Sequence, residues 1–194
     1  MDLNKNNNFP EHKSGKDSGR GLVIVNTGSG KGKTTAALGM ALRAAGHDLK
    51  VLILQFIKAP RITGETRVME KLKPLIEIKQ LGKGFISFKN GKPSPTDRQT
   101  DNAVKSFKYA ADKINSNRYD MIILDEINNM VDYGLLDAQD VVNLIKNKPE
   151  KLCVVLTGRN ACRKLINIAD TVTEMKDIKH AFSRGIRARK GIEY

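Results

Sequence analysis

The sequence predicts an α/β fold in which helices cover both faces of a mainly parallel sheet. Short apolar runs recur without alternating with polar residues, which is typical of strands buried on both faces. These runs span Leu22 to Val25, Val51 to Ile57, Met121 to Leu124 and Leu152 to Leu156. Stretches with helical spacing lie between them, and strands that alternate with helices favour a parallel sheet.

Length and composition predict one domain. The chain has 194 residues, of which 40% are apolar, enough for a sizeable core. Residues 1–19 are rich in Asn, Lys, Ser and Gly, so we expect a flexible tail there and a domain over 20–194. No apolar run approaches the roughly 20 residues that cross a bilayer, and no secretory signal begins the chain. We therefore expect a cytoplasmic protein without a membrane partner.

Three helices follow from their periodicity and capping residues. The first has an apolar stripe and is expected to end at a left-handed Gly46; the stripe comprises Ala37, Leu38, Ala41, Leu42 and Ala45. The second begins near Ser94-Pro95 and Asp97 and carries Val104, Phe107, Ala111 and Ile114. The third is capped by Asp137 and ends before Pro149, with Val141, Leu144 and Ile145 on its apolar stripe. The segment from Lys83 to Pro95 is predicted to be a long, functional loop.

The formal net charge of +13 indicates a polyanionic ligand without saying which one. Only 5% of the residues are aromatic and Trp is absent, so the composition does not favour a base-stacking surface for nucleic acid. Cys153 and Cys162 have neither metal-ligand nor redox spacing, and we interpret both as reduced structural residues.

A phosphate-binding loop is predicted between the first strand and the first helix. The loop comprises Gly28, Ser29, Gly30, Lys31, Gly32, Lys33, Thr34 and Thr35. Its glycines let successive N–H groups and the helix N-terminus face one anion, Lys33 contacts phosphate, and Thr34 binds Mg²⁺. The usual first glycine is replaced by Thr27. The alternative is a glycine-rich turn without a ligand.

Charged residues at other strand ends complete the predicted site. Asp125 and Glu126 follow the third apolar run, and the carboxyl ends of parallel strands meet at one edge, so either carboxylate can bind Mg²⁺ near Thr34. They can instead cap the strand or pair with cations. Arg159 follows the last run and either binds phosphate or caps a helix. Arg43 either reaches the nucleotide or is a solvated helix charge.

The sequence resembles the P-loop type of ATP:corrinoid adenosyltransferases. The resemblance covers about residues 20–194 and rests on the segments Arg20 to Gly39, Gln55 to Lys58, Gly82 to Phe85, Leu124 to Glu126, Tyr133-Gly134, Thr157 to Arg159 and Glu174 to Tyr194. It implies a P-loop NTPase-like, RecA-like domain. The C-terminal segment is the more specific part, because many P-loop proteins share the opening.

The resemblance implies transfer of the 5′-deoxyadenosyl group of ATP to the Co(I) of a corrinoid, with release of triphosphate. It further implies Mg²⁺, a flavodoxin-like or flavin reductant and a homodimer. Matching positions imply that Gly28 to Thr34 bind triphosphate, that Arg43 lies near the nucleotide and that Glu126 binds Mg²⁺. Phe85 would pack under the corrin ring, and His180 would lie near the corrinoid. Lys33, Thr34 and Glu126 are the expected catalytic residues.

One departure and two competing functions remain open at this point. Family members often carry Thr-Trp after the Phe at position 85, whereas this chain has Ile86-Ser87-Phe88, so Phe88 is a candidate substitute. A conventional P-loop kinase or ATPase would release ADP. A nucleic-acid-binding RecA-like ATPase is favoured by the net charge and by the basic end, which contains Arg184, Arg187, Arg189 and Lys190.

Overall fold

The computed structural model describes residues 19–60 and 62–192, so all but the last residue of the predicted tail lies outside the described residues. The strands are β1 (Val23–Thr27), β2 (Val51–Gln55), β3 (Ile76–Gln80), β4 (Ser87–Lys89), β5 (Lys92–Ser94), β6 (Met121–Asp125), β7 (Cys153–Thr157) and β8 (Thr171–Glu174). The helices are α1 (Lys33–Ala45), α2 (Gly64–Lys71), α3 (Asp97–Ile114), α4 (Ile127–Asp132), α5 (Ala138–Lys146) and α6 (Arg163–Ile168), followed by a 3₁₀ turn (Phe182–Arg184).

Six strands form one sheet in the order β3-β2-β6-β7-β1-β8. Every pair of neighbours in it is parallel. The predicted fold class is confirmed. The order places the ends of β1, β7, β6 and β2 side by side, although the chain visits them far apart in sequence, and their carboxyl ends share one edge.

Helices cover both faces of this sheet, which explains the unbroken apolar runs. In β2, Leu52 and Leu54 face a core cluster shared with α3, α4, α5 and α6. Val51 and Ile53, one residue out of phase, face a second cluster shared with α1 and α2. Since successive strand side chains point to opposite faces, a strand covered twice must be apolar at every position. Each fully buried Leu or Ile stabilises the fold by about 1.5–3 kcal/mol.

Two predicted helix ends are corrected by the structure. Gly46 has φ −65°, and the left-handed residue in this turn is Asp48 with φ 59°. Helix α3 is capped by Thr96, whose side chain and that of Gln99 each accept the other's backbone N–H. Ser94 is unavailable as the cap because it belongs to β5. The predicted cap of α5 is confirmed, since Asp137 accepts from the backbone N–H of Gln139.

The predicted loop from Lys83 to Pro95 contains a small antiparallel hairpin of β4 and β5, which pairs Ser87 with Ser94. The hairpin stands apart from the six-stranded sheet. Within the described ranges, no helix combines the length and the apolar character that a membrane span requires. Cys153 and Cys162 are both free, partly buried thiols.

Candidate active site

An open cavity of about 710 Å³ lies at the carboxyl edge of the sheet. Its walls come from the loop after β1, the ends of β2, β6 and β7, and the C-terminal segment. Of the predicted site residues, 29–35, Glu126, Arg159 and His180 line it. The structure therefore brings together residues from four separate parts of the sequence.

The loop after β1 is folded around the ammonium group of Lys33. Lys33 Nζ donates to the carbonyl oxygens of Gly28 and Gly30, at 2.8 and 2.6 Å. Burial lowers the pKa of Lys33, the Glu126 carboxylate opposes that shift, and Arg159 adds to it. Gly32 precedes α1 with φ 111°, a left-handed conformation that glycine adopts without strain. The loop thus holds a buried cation at the N-terminus of a helix, an arrangement suited to phosphate.

The chain that follows β8 braces this loop. Met175 N–H donates to Thr27 O at 2.8 Å, and Gly30 N–H donates to Met175 O at 2.7 Å. A Cβ on Gly28 would lie 2.3 Å from Met175 O, and Gly28 has φ 102°, so only glycine suits both constraints. Thr27, which replaces the usual glycine, accepts from the N–H of Ala161 through its hydroxyl at 3.0 Å. The threonine therefore joins the loop to the segment after β7.

Asp125 is fully buried and orients the hydroxyl of Thr34. Its Oδ1 accepts from Thr34 Oγ1 at 2.8 Å and from Thr157 Oγ1 at 2.7 Å. Its Oδ2 accepts from Gln55 Nε2 at 3.0 Å, and Gln55 Oε1 in turn accepts from Gln80 Nε2 at 3.1 Å. Because the Thr34 hydroxyl donates its hydrogen bond to Asp125, the lone pairs of its oxygen remain available to a cation in the cavity.

Glu126 places its carboxylate in the cavity, one residue after the buried Asp125. It has φ 68°, a left-handed conformation, and its N–H donates to Thr157 Oγ1 at 2.9 Å. Burial raises the pKa of Glu126, and the neighbouring Asp125 carboxylate raises it further. Three cations oppose this rise, namely Lys33, Lys58 and Arg159. The carboxylate is therefore under the influence of positive charge from the start of α1 and from the segments after β2 and β7.

A model of the ATP:corrinoid adenosyltransferase family (BtuR/CobO/CobP) matches residues 19–194. The chain belongs to this family. It is 42% identical to a corrinoid adenosyltransferase of Sinorhizobium sp., over 92% of this chain and 83% of that protein. It is 38% identical to a corrinoid adenosyltransferase of Escherichia coli K12 and 36% identical to corrinoid adenosyltransferase CobA of Salmonella typhimurium, each over 90% of this chain and 86% of the relative. The fold and the function expected of this family are confirmed.

Several predicted site residues of this adenosyltransferase lie outside the cavity wall. Gly28 packs against the backbone of Met175, and Asp125 is a buried residue that accepts a hydrogen bond from Thr34. Arg43 is exposed in the last turn of α1, away from the phosphate loop at its first turn. Phe85 is 88% exposed on the segment before the hairpin. Phe88 lies in β4 with its ring edge-on to Tyr133, at a centroid distance of 5.5 Å.

The cavity also contains residues to which the sequence analysis assigned no role. Lys58 and Glu65 form an ion pair on the β2 side. Asn129 accepts from the N–H of Arg159 at 2.7 Å and so positions the chain after β7. The C-terminal segment contributes Asp177, Phe182, Ser183, Gly191 and Ile192. The sequence signal that could have identified Lys58 is a basic residue just beyond the end of a predicted strand. For the C-terminal segment, only the tertiary structure shows the contact.

The C-terminal segment reaches the phosphate loop directly. Lys31 Nζ donates to Ile192 O at 3.2 Å. His180 accepts from the N–H of Phe182 through Nδ1 at 3.1 Å, which fixes the orientation of the imidazole at the cavity wall. The segment that made the family resemblance specific is therefore also a wall of the site.

Magnesium chemistry fits the groups at this site. Among residues 19–60 and 62–192, no three His, Cys, Asp or Glu side chains converge as metal ligands. Mg²⁺ bound together with phosphates takes only one or two protein oxygens and completes its shell with phosphate and water. The outward lone pairs of Thr34 and the Glu126 carboxylate are such oxygens. The donor set therefore suits a magnesium ion that arrives with a nucleotide.

Proposed function

We propose that this adenosyltransferase carries out its reaction in the cavity around Lys33 and that it releases the triphosphate of ATP intact. The observation that carries the proposal is the preformed loop, in which a buried ammonium already binds two carbonyl oxygens beside a helix N-terminus. Phosphate oxygens that displace those carbonyls would regain charge-assisted hydrogen bonds. ATP is therefore the expected co-substrate.

In the proposed reaction, the electron pair of Co(I) forms a bond to C5′ of ATP. The C5′–O5′ bond breaks, and its electron pair stays on the triphosphate oxygen. No proton is transferred, so no general base is required, and the protein must instead stabilise a polyanionic leaving group. Lys31, Lys33 and Arg159 supply positive charge for that purpose. Their convergence on one cavity supports the stabilisation of a polyanionic leaving group.

The residues that would hold Mg²⁺ are Thr34 and Glu126. When bound, the ion neutralises charge on the triphosphate. We revise the expected role of Asp125, because its carboxylate is occupied by Thr34, Thr157 and Gln55. We propose that Asp125 orients Thr34 without contacting the ion. Arg43 would contribute to nucleotide binding only if another segment brings the nucleotide to the end of α1.

The corrinoid is proposed to bind against the exposed segment that carries Phe85. The Phe85 ring is 88% exposed, and an exposed aromatic surface is suited to an apolar corrin face. The pair of Phe88 and Tyr133 offers a second aromatic surface in place of the missing Trp. His180 is assigned to the same substrate. A flavodoxin-like or flavin reductant, a homodimer and a cytoplasmic location complete the proposal.

The proposal is tested by incubating the protein with ATP, Mg²⁺ and chemically reduced cobalamin. We expect the light-sensitive spectrum of adenosylcobalamin to appear together with free triphosphate. Lys33→Ala should abolish both signals, whereas Lys73→Ala, which removes an exposed lysine paired with Glu70, should change neither. ADP as the sole product would instead identify a kinase or ATPase. Hydrolysis stimulated by DNA or RNA would identify a RecA-like ATPase.

A further inference from the structure

We propose that Lys58 is a phosphate-binding residue of this site and that Glu65 competes with phosphate for its ammonium group. The inference rests on the proposed function, because it assigns a further cation to the same nucleotide cavity. Lys58 follows β2, which is separated from β1 by β6 and β7. Three strand spacings amount to about 14 Å. Lys58 therefore lies at the far side of the cavity from the phosphate loop.

The backbone at Lys58 is fixed by its neighbours. Phe56 and Ile57 are both buried, Phe56 N–H donates to Asp125 O at 3.0 Å, and Gly84 N–H donates to Ile57 O at 3.2 Å. Gly82 packs so closely that a Cβ there would lie 2.1 Å from Ile57 O. The side chain of Lys58 therefore starts from an anchored position, and only its four-carbon stem is free to move.

The backbone at Glu65 is also held in place, by the cap of a helix. It lies in the first turn of α2, behind the N-cap Thr63, whose side chain and that of Thr66 satisfy each other's backbone N–H. Lys58 Nζ contacts Glu65 Oε1 at 2.9 Å, with the two side chains 36% and 19% exposed. Although burial opposes the shift, hydrogen bonds from its own backbone N–H and from Lys58 lower the pKa of Glu65. The pair is thus within hydrogen-bonding distance, partly desolvated and located in the cavity wall.

The charge on Lys58 also reaches the centre of the site. It is one of the three cations that oppose the raised pKa of Glu126. Lys58, Glu126 and Arg159 line the same cavity, so phosphate oxygens bound beside Glu126 would be attracted by the Lys58 ammonium. An ammonium beside a phosphate forms a charge-assisted hydrogen bond, and lysine reorients readily on its flexible stem. Lys58 is therefore placed to move from Glu65 to phosphate.

The alternative is that the ion pair only attaches α2 to the end of β2. The two roles differ in what happens when Glu65 is replaced. An attachment role makes Lys58 and Glu65 equivalent, because the loss of either breaks the pair. A phosphate role makes them unequal, because Glu65 competes with phosphate for the ammonium and Lys58 does not.

The test measures by calorimetry how tightly the full chain binds inorganic tripolyphosphate in the presence of Mg²⁺. The salt concentration is fixed at about 0.15 M, where the Debye length is about 8 Å, because salt screens the attraction between charges. Lys58→Met should weaken binding at least about tenfold, equivalent to about 1.4 kcal/mol. Lys58→Arg, which keeps the charge, should recover most of that loss. Glu65→Gln should bind as tightly as the unaltered protein or more tightly. Lys73→Met, a matched control on the exposed Lys73 and Glu70 pair, should change affinity less than about twofold.

Two results would overturn the inference. One is equal tripolyphosphate affinity in Lys58→Met and Lys73→Met. The other is a loss in Glu65→Gln as large as that in Lys58→Met, which would establish the attachment role. If Lys58→Met does not fold, Lys58→Gln replaces it, with urea unfolding as the check. The binding assay uses no corrinoid, so it is independent of the adenosylation assay. If affinity depends on Lys58 but the protein does not adenosylate a corrinoid, only the proposed function is rejected. If the protein adenosylates a corrinoid but affinity does not depend on Lys58, only this inference is rejected.

Discussion

Replacing Gly30 by alanine tests whether the chain that follows β8 holds the phosphate loop in place. A methyl group on Gly30 would lie 2.7 Å from the carbonyl carbon and oxygen of Lys176 and 2.8 Å from Met175 O. These are backbone atoms, so rotation of a side chain cannot relieve the overlap, and the loop or its brace must move. Movement also disturbs the 2.7 Å hydrogen bond from Gly30 N to Met175 O. Overpacking of this kind lowers the free energy of unfolding by about 1–3 kcal/mol.

Gly39→Ala is the matched control for Gly30→Ala. Gly39 lies within α1, and a Cβ there would meet no atom within 4 Å. Alanine is favoured over glycine inside a helix by roughly 0.5–1 kcal/mol, so this variant should be more stable than the unaltered protein. Urea unfolding measures the free energy, and calorimetry with tripolyphosphate measures whether the loop still binds. Gly30→Ala should have a lower free energy of unfolding and a lower affinity for tripolyphosphate, whereas Gly39→Ala should show neither loss. An unchanged unfolding free energy together with unchanged affinity in Gly30→Ala would refute the brace.

Two further predictions concern Glu126 and Phe85. Because burial, then the Asp125 carboxylate, raise the pKa of Glu126, the folded state binds that proton more tightly than the unfolded chain. Its stabilising effect is complete below the ordinary glutamate pKa of about 4.3 and is lost as the pH rises through the raised value. The urea midpoint of the unaltered protein should therefore fall relative to that of Glu126→Gln over this window; identical pH profiles of the two proteins would contradict the assignment. Phe85→Ala should change stability by less than about 0.5 kcal/mol, because the ring is 88% exposed. It should spare adenosylation of prereduced Co(I) and reduce the assay that starts from Co(II), and equal losses in the two assays would remove Phe85 from the corrinoid site.

The elements that the sequence predicted are those whose local pattern reflects their surroundings. Strands β2 and β6 are covered on both faces, so their apolar runs are visible without any knowledge of the fold. The elements that it missed include the edge strands β3 and β8 and the short helix α2. Strand β8 is exposed along its whole length, and its parallel pairing with β1 provides its place in the sheet. Pairing of this kind leaves little trace in residue type, because backbone groups make it.

Some features of the site could also be predicted from the sequence, whereas others could not. The sequence by itself determined the fold class and predicted the phosphate-binding loop and the acidic strand end, because glycine spacing and a helix N-terminus are local properties of a short segment. The tertiary structure alone decided that Asp125 orients Thr34, that Glu126 faces the cavity, and that Lys58 and the C-terminal segment form its walls. The physical reason is that hydrogen bonding and burial depend on which strand ends lie side by side. That arrangement follows from the order of the strands in the sheet, which no single segment of the chain contains.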